Sequence, residues 1–236
     1  IKLGKDIDRS DRKIERWKNM ARIALGQSKM VSRPFAGFLH IIVYIGFVVI
    51  NIEVLEIVID GLFGTHRVFQ PLLGNTIYGF LIGTFEILAF LVLVAVILFW
   101  LRRNIVQLKR FMSKEMKGWP KNDGNLILYF EIVLMSLFIV MNATDHTFQE
   151  ANIGNPISQF VGPWFSGYSL DTLATIEHTT WWVHIIGILI FLNYLYYSKH
   201  LHILLAFPNT FFANLDPNGQ FNNLASVTSE VRMMMD

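Results

Sequence analysis

Long apolar blocks separated by polar connections run through most of the chain. Four of them are about as long as the ~20 residues with which a helix crosses a bilayer. They are span A (36–59), span B (77–101), span C (125–144) and span D (180–207). Because lipid offers no hydrogen bonds to the backbone, each block is expected to be a helix. The pattern predicts an all-α, polytopic membrane helix bundle with four spans in this segment.

The polar parts divide the chain into three regions. Residues 1–34 form a basic segment in which Ile14, Trp17, Ala21 and Leu25 recur at helical spacing, so that an amphipathic surface helix over 7–25 competes with a solvated one. Residues 35–208 form the membrane domain. Residues 209–236 are a tail or a linker to a possible downstream domain. The chain starts at Ile1 and not at Met, so we expect it to be a fragment of a longer chain.

Basic residues are distributed unevenly among the connections. Residues 1–34 hold ten Lys and Arg and the B–C connection holds seven, whereas the A–B connection holds only Arg67 and the C–D connection, 145–177, holds none. Because positive loops stay on the cytoplasmic side, both termini and the B–C loop are predicted to be cytoplasmic in a bacterial-type inner membrane. The C–D connection, rich in Gly, Pro and aromatic residues, is then expected to fold back on the outer surface.

Charge and cysteine content exclude several functions. The net charge of +2 is explained by membrane topology and anionic lipid, which argues against nucleic acid as a partner. The sequence contains no cysteine. Iron–sulfur clusters are therefore expected only outside this segment, in a domain or subunit that accompanies it.

The seven histidines supply the candidate chemistry. His184 and His202 are 18 residues apart on span D, which on one continuous helix is five turns, about 27 Å, along a single face. Imidazoles at equal depth can hold a haem iron from both sides. His40 matches His202 near the inner face, and His146 is the best depth match for His184 near the outer face. The alternatives at the outer site are His66 and His178, and His200 is predicted to point away and to lie at the interface.

Two stretches carry a family resemblance: RPFAGFLH at 33–40, and WWVH with YYSKHLHILLAFPN between 181 and 209. They resemble the membrane cytochrome b module of the respiratory nitrate reductase gamma subunit. They are also similar to the membrane part of heterodisulfide-reductase-like iron–sulfur oxidoreductases of the electron-transfer-flavoprotein:menaquinone oxidoreductase type. That resemblance implies haem b, one or two per chain, and quinone, in particular menaquinone, as the substrate. It also implies a cytoplasmic iron–sulfur partner or electron transfer flavoprotein. His40, His184 and His202 match ligand positions, whereas Ile50 stands where the family has a second histidine on the earlier helix. The gamma subunit also has a span before the helix that carries the His40 position, so the resemblance implies a further N-terminal span before Ile1.

Ionisable groups inside the spans are the second set of candidates. Each costs at least about 2.5 kcal/mol in lipid and needs a partner or a role. Glu53, Glu56 and Glu86 are the candidates for proton transfer. The competing interpretation is interfacial exposure for Glu53, Glu56 and Asp60, and structural hydrogen bonding, which is favoured for Glu86 and Glu131. On the resemblance, a quinone would bind near the outer haem, beneath the aromatic residues Trp164, Phe165 and Tyr168.

These observations favour a b-type cytochrome module that passes electrons between the quinone pool and a cytoplasmic iron–sulfur or flavoprotein partner. We therefore expect the chain to be part of a quinone-linked oxidoreductase. The alternative is a membrane anchor without haem, or a transporter subunit, in which the histidines are structural. Transporters often show repeated halves or discontinuous helices, and neither is visible in the sequence.

Overall fold

The computed structural model describes residues 8–217, 219 and 224–235, and these residues form helices and connections without a β-strand. The α-helices are α1 (Lys13–Met20), α2 (Pro34–Phe63), α3 (Phe69–Asn104), α4 (Trp119–Thr144), α5 (His146–Ala151), α6 (Ser158–Val161), α7 (Leu170–Leu195), α8 (His202–Phe211) and α9 (Ala225–Met235). Four of them, α2, α3, α4 and α7, are long and apolar enough to cross a membrane. The predicted all-α bundle with four spans is therefore confirmed.

The chain divides into two compact units, 27–203 and 1–26 together with 204–236. In the first unit α4 packs between α3 and α7, and α2 packs mainly on α3 and only lightly on α7. The centre of the bundle is filled by apolar side chains that are almost fully buried, among them Ile82, Phe85, Ala89 and Phe138. The light contact between α2 and α7 leaves room between these two helices.

The helix that corresponds to span B begins earlier than its apolar stretch. It starts at Phe69, but Gly74 interrupts it with φ 73° and ψ 159°, a conformation outside the helical region. Glycine has no Cβ and adopts a positive φ without strain. The first turn at Phe69 is thus offset from the regular helix that follows Gly74.

The connection between α4 and α7 folds back onto the bundle through close backbone contact. It contains α5, α6 and a 3₁₀ turn at Gly162–Phe165. Gly154 has φ +75°, and a Cβ built on it would lie 2.0 Å from the carbonyl oxygen of Gly79 on α3. Only glycine allows the two backbones to approach this closely, so the connection is seated directly on α3.

Span D is divided, in contrast to the single helix predicted over 180–207. Helix α7 ends at Leu195, a 3₁₀ turn follows at Lys199–Leu201, and α8 starts at His202. The buried carboxylate of Asp123 on α4 causes the break: it accepts hydrogen bonds from the Lys199 backbone N–H at 3.0 Å and from the Tyr194 hydroxyl at 2.5 Å. His184 and His202 therefore lie on different helices, and the prediction of one shared face over five turns is wrong.

The second unit joins the N-terminal segment to the tail. The buried guanidinium of Arg16 donates hydrogen bonds to the carbonyl oxygens of Phe211, at 3.2 Å, and Ala213, at 3.0 Å. The ring of Trp17 meets the ring of Phe211 edge-on with centroids 5.2 Å apart. Trp17 thus packs against the tail, which the predicted surface helix did not foresee. The parts of these segments at 1–7, 218, 220–223 and 236 lie outside the described residues.

Candidate functional site

Polar residues collect at three levels of the 27–203 unit. We call the end of the bundle where α2 and α4 finish the Arg67 end, and the end where α7 finishes the Lys199 end. Between them, near the middle of α4 and α7, lies a cavity beside His184 that we call the His184 cavity. Each level is described in turn, beginning with the Lys199 end.

Three histidines meet at the Lys199 end. The rings of His200 and His202 lie 5.6 Å apart, and the ring of His200 also packs edge-on against Phe191 at 5.3 Å. Burial, followed by the charges of His202 and His40, lowers the pKa of His200 to about 4. His200 therefore stays neutral at neutral pH. It lies beside His202, contrary to the prediction that it points away.

His202 and His40 differ in the hydrogen bonding of their Nδ1 atoms. His202 is exposed, and its Nδ1 pairs with the carbonyl oxygen of Lys199 at 2.8 Å, which leaves Nε2 available. His40 is half-buried, and its Nδ1 is a fully buried nitrogen without a hydrogen-bond partner within the described part of the chain. A metal-bound histidine characteristically fixes one nitrogen on a backbone carbonyl and offers the other to the metal. The residues present at this end therefore fit a haem held by His40 and His202.

His184 lies deep in the bundle and forms the wall of a cavity. Its side chain is 2% exposed, and its Nδ1 pairs with the carbonyl oxygen of Leu134 at 3.0 Å. The cavity has a volume of about 120 Å³ and a mostly apolar lining from α2, α3, α4 and α7. Its polar lining residues are Asn51, Glu131 and His184. Glu131 makes no hydrogen bond or ion pair in the described structure.

The His184 cavity does not fit a second haem. Ile50, which stands at the position of the missing histidine, is part of its wall, and the only imidazole in the lining is that of His184. The volume is also well below the ~300–1,000 Å³ of sites for drug-sized ligands. The residues that line the His184 cavity therefore do not supply the two axial ligands of a second haem.

The outer histidines do not reach this cavity. His146 is exposed on α5, with its Nε2 3.5 Å from Glu150. His178 is exposed and its Nδ1 pairs with the carbonyl oxygen of Ala174 at 3.0 Å. His66 belongs to the Arg67 end. The structure thus brings none of the three predicted partners to His184.

Arg67 is the centre of a buried network at its end of the bundle. Its guanidinium donates to Asp145 Oδ2 at 2.8 Å, to the Tyr78 hydroxyl at 3.1 Å and to Asn142 Oδ1 at 3.1 Å. It also lies 4.0 Å from the centroid of the Phe148 ring. Burial alone would raise the pKa of Asp145, but the hydrogen bond from His66 and the charge of Arg67 hold it well below its usual range. Arg67 therefore ties the A–B connection to α3, α4 and α5.

Two of the proton-transfer candidates are saturated with hydrogen bonds at the Arg67 end. Glu56 accepts from the Phe69 N–H at 2.8 Å and from the Tyr78 hydroxyl at 3.0 Å. Glu86, with no exposed surface, accepts from Asn142 Nδ2 at 3.0 Å and from the backbone N–H groups of Ile157 and Ser158 at 2.9 and 3.0 Å. Through these hydrogen bonds Glu86 fixes the α4–α7 connection to the bundle.

Glu53 differs from its neighbours. It is 3% exposed, and its Oε2 has no hydrogen-bond partner among the described residues. It lines a cavity of about 30 Å³ together with Glu56, His66, Arg67 and Asp145. That volume is about the share of one water molecule in the liquid. Glu53 is therefore the one proton candidate whose carboxylate still has capacity for an exchangeable partner.

A possible metal site lies at the surface of the same cavity. Single ligand atoms of His66, Asp145 and Glu177 lie within 4.8 Å of one another. However, the hydrogen bond to Asp145 and then that to Glu177 raise the pKa of His66 to about 9. Near neutral pH His66 is thus a cation that pairs with both carboxylates.

The aromatic residues of the predicted quinone site in the α4–α7 connection are largely exposed. Trp164 is 79% exposed and Tyr168 is 55% exposed, and neither lines any of the cavities described above. The aromatic residues thus cover the surface of the bundle.

Sequence reasoning missed the residues that organise the two ends, Arg67 and Asp123. Arg67 carried a signal, because it is the one basic residue in two connections that otherwise lack them. Asp123 carried none, because it precedes the apolar block and resembles an ordinary loop residue. Asn51 in the His184 cavity also escaped attention, because a single amide in an apolar span has no distinctive pattern.

Comparisons with known proteins find two relatives that are named as oxidoreductases. Over 227 residues the chain is 27% identical to the "Probable iron-sulfur-binding oxidoreductase FadF" of Bacillus subtilis, covering 95% of this chain. Over 225 residues it is 23% identical to the "EtfAB:quinone oxidoreductase" of Syntrophomonas wolfei, covering 90% of this chain. The chain spans 30% of the length of each of these relatives. No family model and no solved structure matches.

Proposed function

We propose that this chain is the membrane electron-transfer module of a quinone-linked iron–sulfur oxidoreductase, with haem b bound by His40 and His202. Its similarity to oxidoreductases named for iron–sulfur binding and for quinone supports the class. The observation that carries the proposal is the pairing of His40 and His202 at one end of the bundle. There Nδ1 of His202 is fixed on a carbonyl and Nδ1 of His40 is buried without a partner.

The residues around these histidines serve to position them. Asp123 holds the Lys199 backbone, and Lys199 in turn supplies the carbonyl that orients His202. When bound, haem b would supply a one-electron carrier at this end. His200, which remains neutral, fills the space between Phe191 and His202 without adding charge.

The proposed orientation places the Lys199 end at the cytoplasmic face. The N-terminus of α2 and the connection between α3 and α4 lie at this end, and both are flanked by the basic clusters of the chain. Positive connections are retained in the cytoplasm. Electrons would then be exchanged there with an iron–sulfur domain or subunit, or with electron transfer flavoprotein, while a membrane quinone such as menaquinone is the other substrate.

A haem assay with ligand variants tests the proposal. We expect a b-type reduced-minus-oxidised spectrum with one haem per chain in the purified, assembled protein. His40→Ala and His202→Ala should each abolish this signal, because either change removes an axial ligand. His146→Ala, an exposed histidine at the other end, is the matched control and should retain it. Assembled protein without haem b, or with full haem in both variants, would contradict the proposal.

A further inference from the structure

Three segments of the chain each bring one ligand atom to the small cavity at the Arg67 end. His66 comes from the A–B connection, Asp145 from the junction of α4 and α5, and Glu177 from α7. His66 Nε2 lies 3.3 Å from Asp145 Oδ2 and 3.7 Å from Glu177 Oε1, and the three ligand atoms lie within 4.8 Å of one another. Ligands at ~2.0–2.2 Å from a tetrahedral Zn²⁺ are about 3.3–3.6 Å apart, so these atoms are already close to the spacing of a coordination shell.

The two carboxylates of this group are shielded from water, whereas the imidazole is open to it. The side chains of Asp145 and Glu177 are 5% and 15% exposed, and that of His66 is 56% exposed. Asp60 fixes the turn that carries His66, because its Oδ2 accepts a hydrogen bond from the backbone N–H of Arg67 at 2.8 Å. An ion from solvent can therefore pass His66 and reach carboxylates that the fold already holds in place.

A further carboxylate on the same cavity points independently to a ligand. Glu53 on α2 is 3% exposed, and its Oε2 has no hydrogen-bond partner among the residues that the structure describes. A buried carboxylate oxygen without a donor is costly, so it calls for a cation or for a water that donates to it. The cavity of about 30 Å³ offers the space of about one water molecule. A metal-bound water in this space would donate to Glu53, as the outer-shell carboxylates of metal sites commonly require.

The charge and the ligand types of the cavity both favour a divalent transition-metal ion. The lining contains one arginine, Arg67, and five carboxylates, which are those of Glu53, Glu56, Asp60, Asp145 and Glu177. A proton on His66 adds a single positive charge, whereas a divalent ion that displaces this proton adds two. Imidazole together with carboxylates suits Zn²⁺ and similar ions, while Mg²⁺ and Ca²⁺ prefer oxygen ligands alone.

We infer that His66, Asp145 and Glu177 form a binding site for a divalent transition-metal cation such as Zn²⁺, with Glu53 holding a water on the inner side of the ion. The bound ion joins α7 to the A–B connection and to the start of α5. In the proposed orientation this end of the bundle faces the outside, so the ion comes from the external aqueous phase. The site shares no residue with the proposed haem site, so the inference is independent of the proposed function.

Calorimetric titration of Zn²⁺ into the detergent-solubilised, assembled protein tests the site directly. The protein is first dialysed against buffer without metal, and we expect a Zn²⁺ site that excess Mg²⁺ does not occupy. His66→Gln and Glu177→Gln should each weaken Zn²⁺ binding by about 100-fold or more, because each removes a ligand and the loss of an outer-shell partner alone costs about 10–100-fold. Glu53→Gln should weaken binding by about tenfold, because the metal-bound water loses a charged acceptor.

The matched control is His146→Ala, which removes an exposed histidine at the same end whose Nε2 lies 3.5 Å from Glu150. It should leave the Kd for Zn²⁺ unchanged. Saturating Zn²⁺ should raise the melting temperature of the unmodified protein and of this control but not that of His66→Gln, because the ion binds only the folded state. Glu177→Gln leaves the hydrogen bonds of Arg67 in place, and it keeps the test decisive if His66→Gln does not fold.

Equal Zn²⁺ affinity in the unmodified protein, His66→Gln and Glu177→Gln would overturn the inference, because the ions would then be bound adventitiously at other surface groups. Displacement of the Zn²⁺ by excess Mg²⁺ would overturn it as well. The haem spectrum is unaffected by either outcome, so failure of the metal site and failure of the proposed function are measured separately.

Discussion

The Arg67 end and the His184 cavity both contain buried ionisable residues, but most of those at the Arg67 end have hydrogen-bond partners, with Glu53 Oε2 as the exception among the described residues. At the Arg67 end Glu56, Glu86 and Asp145 each accept two or more hydrogen bonds. In the His184 cavity Glu131 accepts no hydrogen bond from any residue that the structure describes, and Nε2 of His184 has no partner among them either. Polar groups that are saturated by the protein hold it together, whereas unsatisfied ones in a cavity are available for a ligand.

Removal of the Arg67 guanidinium should have the largest effect on the stability of the Arg67 end. Arg67→Met should lower the free energy of unfolding by about 3–5 kcal/mol, because Asp145 loses its buried charged partner and keeps only the half-exposed His66. Thermal and denaturant unfolding of the detergent-solubilised protein would measure the change. Arg33→Met, at an exposed arginine, is the control and should stay within about 0.5 kcal/mol. A loss below about 1 kcal/mol for Arg67→Met would mean that the network contributes little to stability.

A comparison of two glutamates sharpens the distinction further. Glu86→Ala should cost about 1–3 kcal/mol for each buried group it leaves unsatisfied, and it should expose the α4–α7 connection. Hydrogen exchange at the Ile157 and Ser158 amides, which donate to Glu86, would report the loss of protection. Glu53→Gln is the counterpart, because Glu53 Oε2 has no partner in the described residues, and it should leave this protection unchanged. Equal loss of protection in both variants would contradict the role of Glu86 in fixing the α4–α7 connection.

The smallest effect should come from the titration of His66. Its folded pKa is raised to about 9, above the ordinary 6.5, so its ion pairs stabilise fully below about pH 6.5. That contribution should disappear as the pH rises through 9. His66 is half-exposed, so solvent screening limits the effect to below about 1 kcal/mol. That corresponds to about 2–4 °C in the melting temperature for a chain of this size.

Melting temperatures from about pH 6 to about pH 10 would test this window. His66→Gln should flatten the decline between pH 6.5 and 9, whereas the exposed His146→Gln should leave it intact. An unchanged decline in His66→Gln would assign the pH dependence to other groups. Asp145 has the opposite pH dependence. Because its folded pKa is lowered, its ionised carboxylate stabilises the fold at every pH above the ordinary pKa of an aspartate, and this contribution is lost only in acid.

Much of the architecture followed from the sequence. Four apolar blocks predicted four spans, because a membrane helix must satisfy its own backbone and its length is set by the bilayer. The same pattern singled out His40, His184 and His202 and the acidic residues within the spans. The predicted topology also put His40 and His202 at equal depth, and in the structure both lie near enough to His200 for their charges to lower its pKa.

Tertiary contacts decided which of these residues meet and which have partners. Asp123, distant in sequence, ends α7 at Leu195 and brings His200 beside His202, a result that helical periodicity cannot provide. Whether a buried glutamate is structural or available depends on donors from other segments. The backbone N–H groups of Ile157 and Ser158 donate to Glu86, whereas no donor from the described residues reaches Glu131. Local pattern therefore determined the spans and the candidate residues, while hydrogen bonds between helices determined their roles.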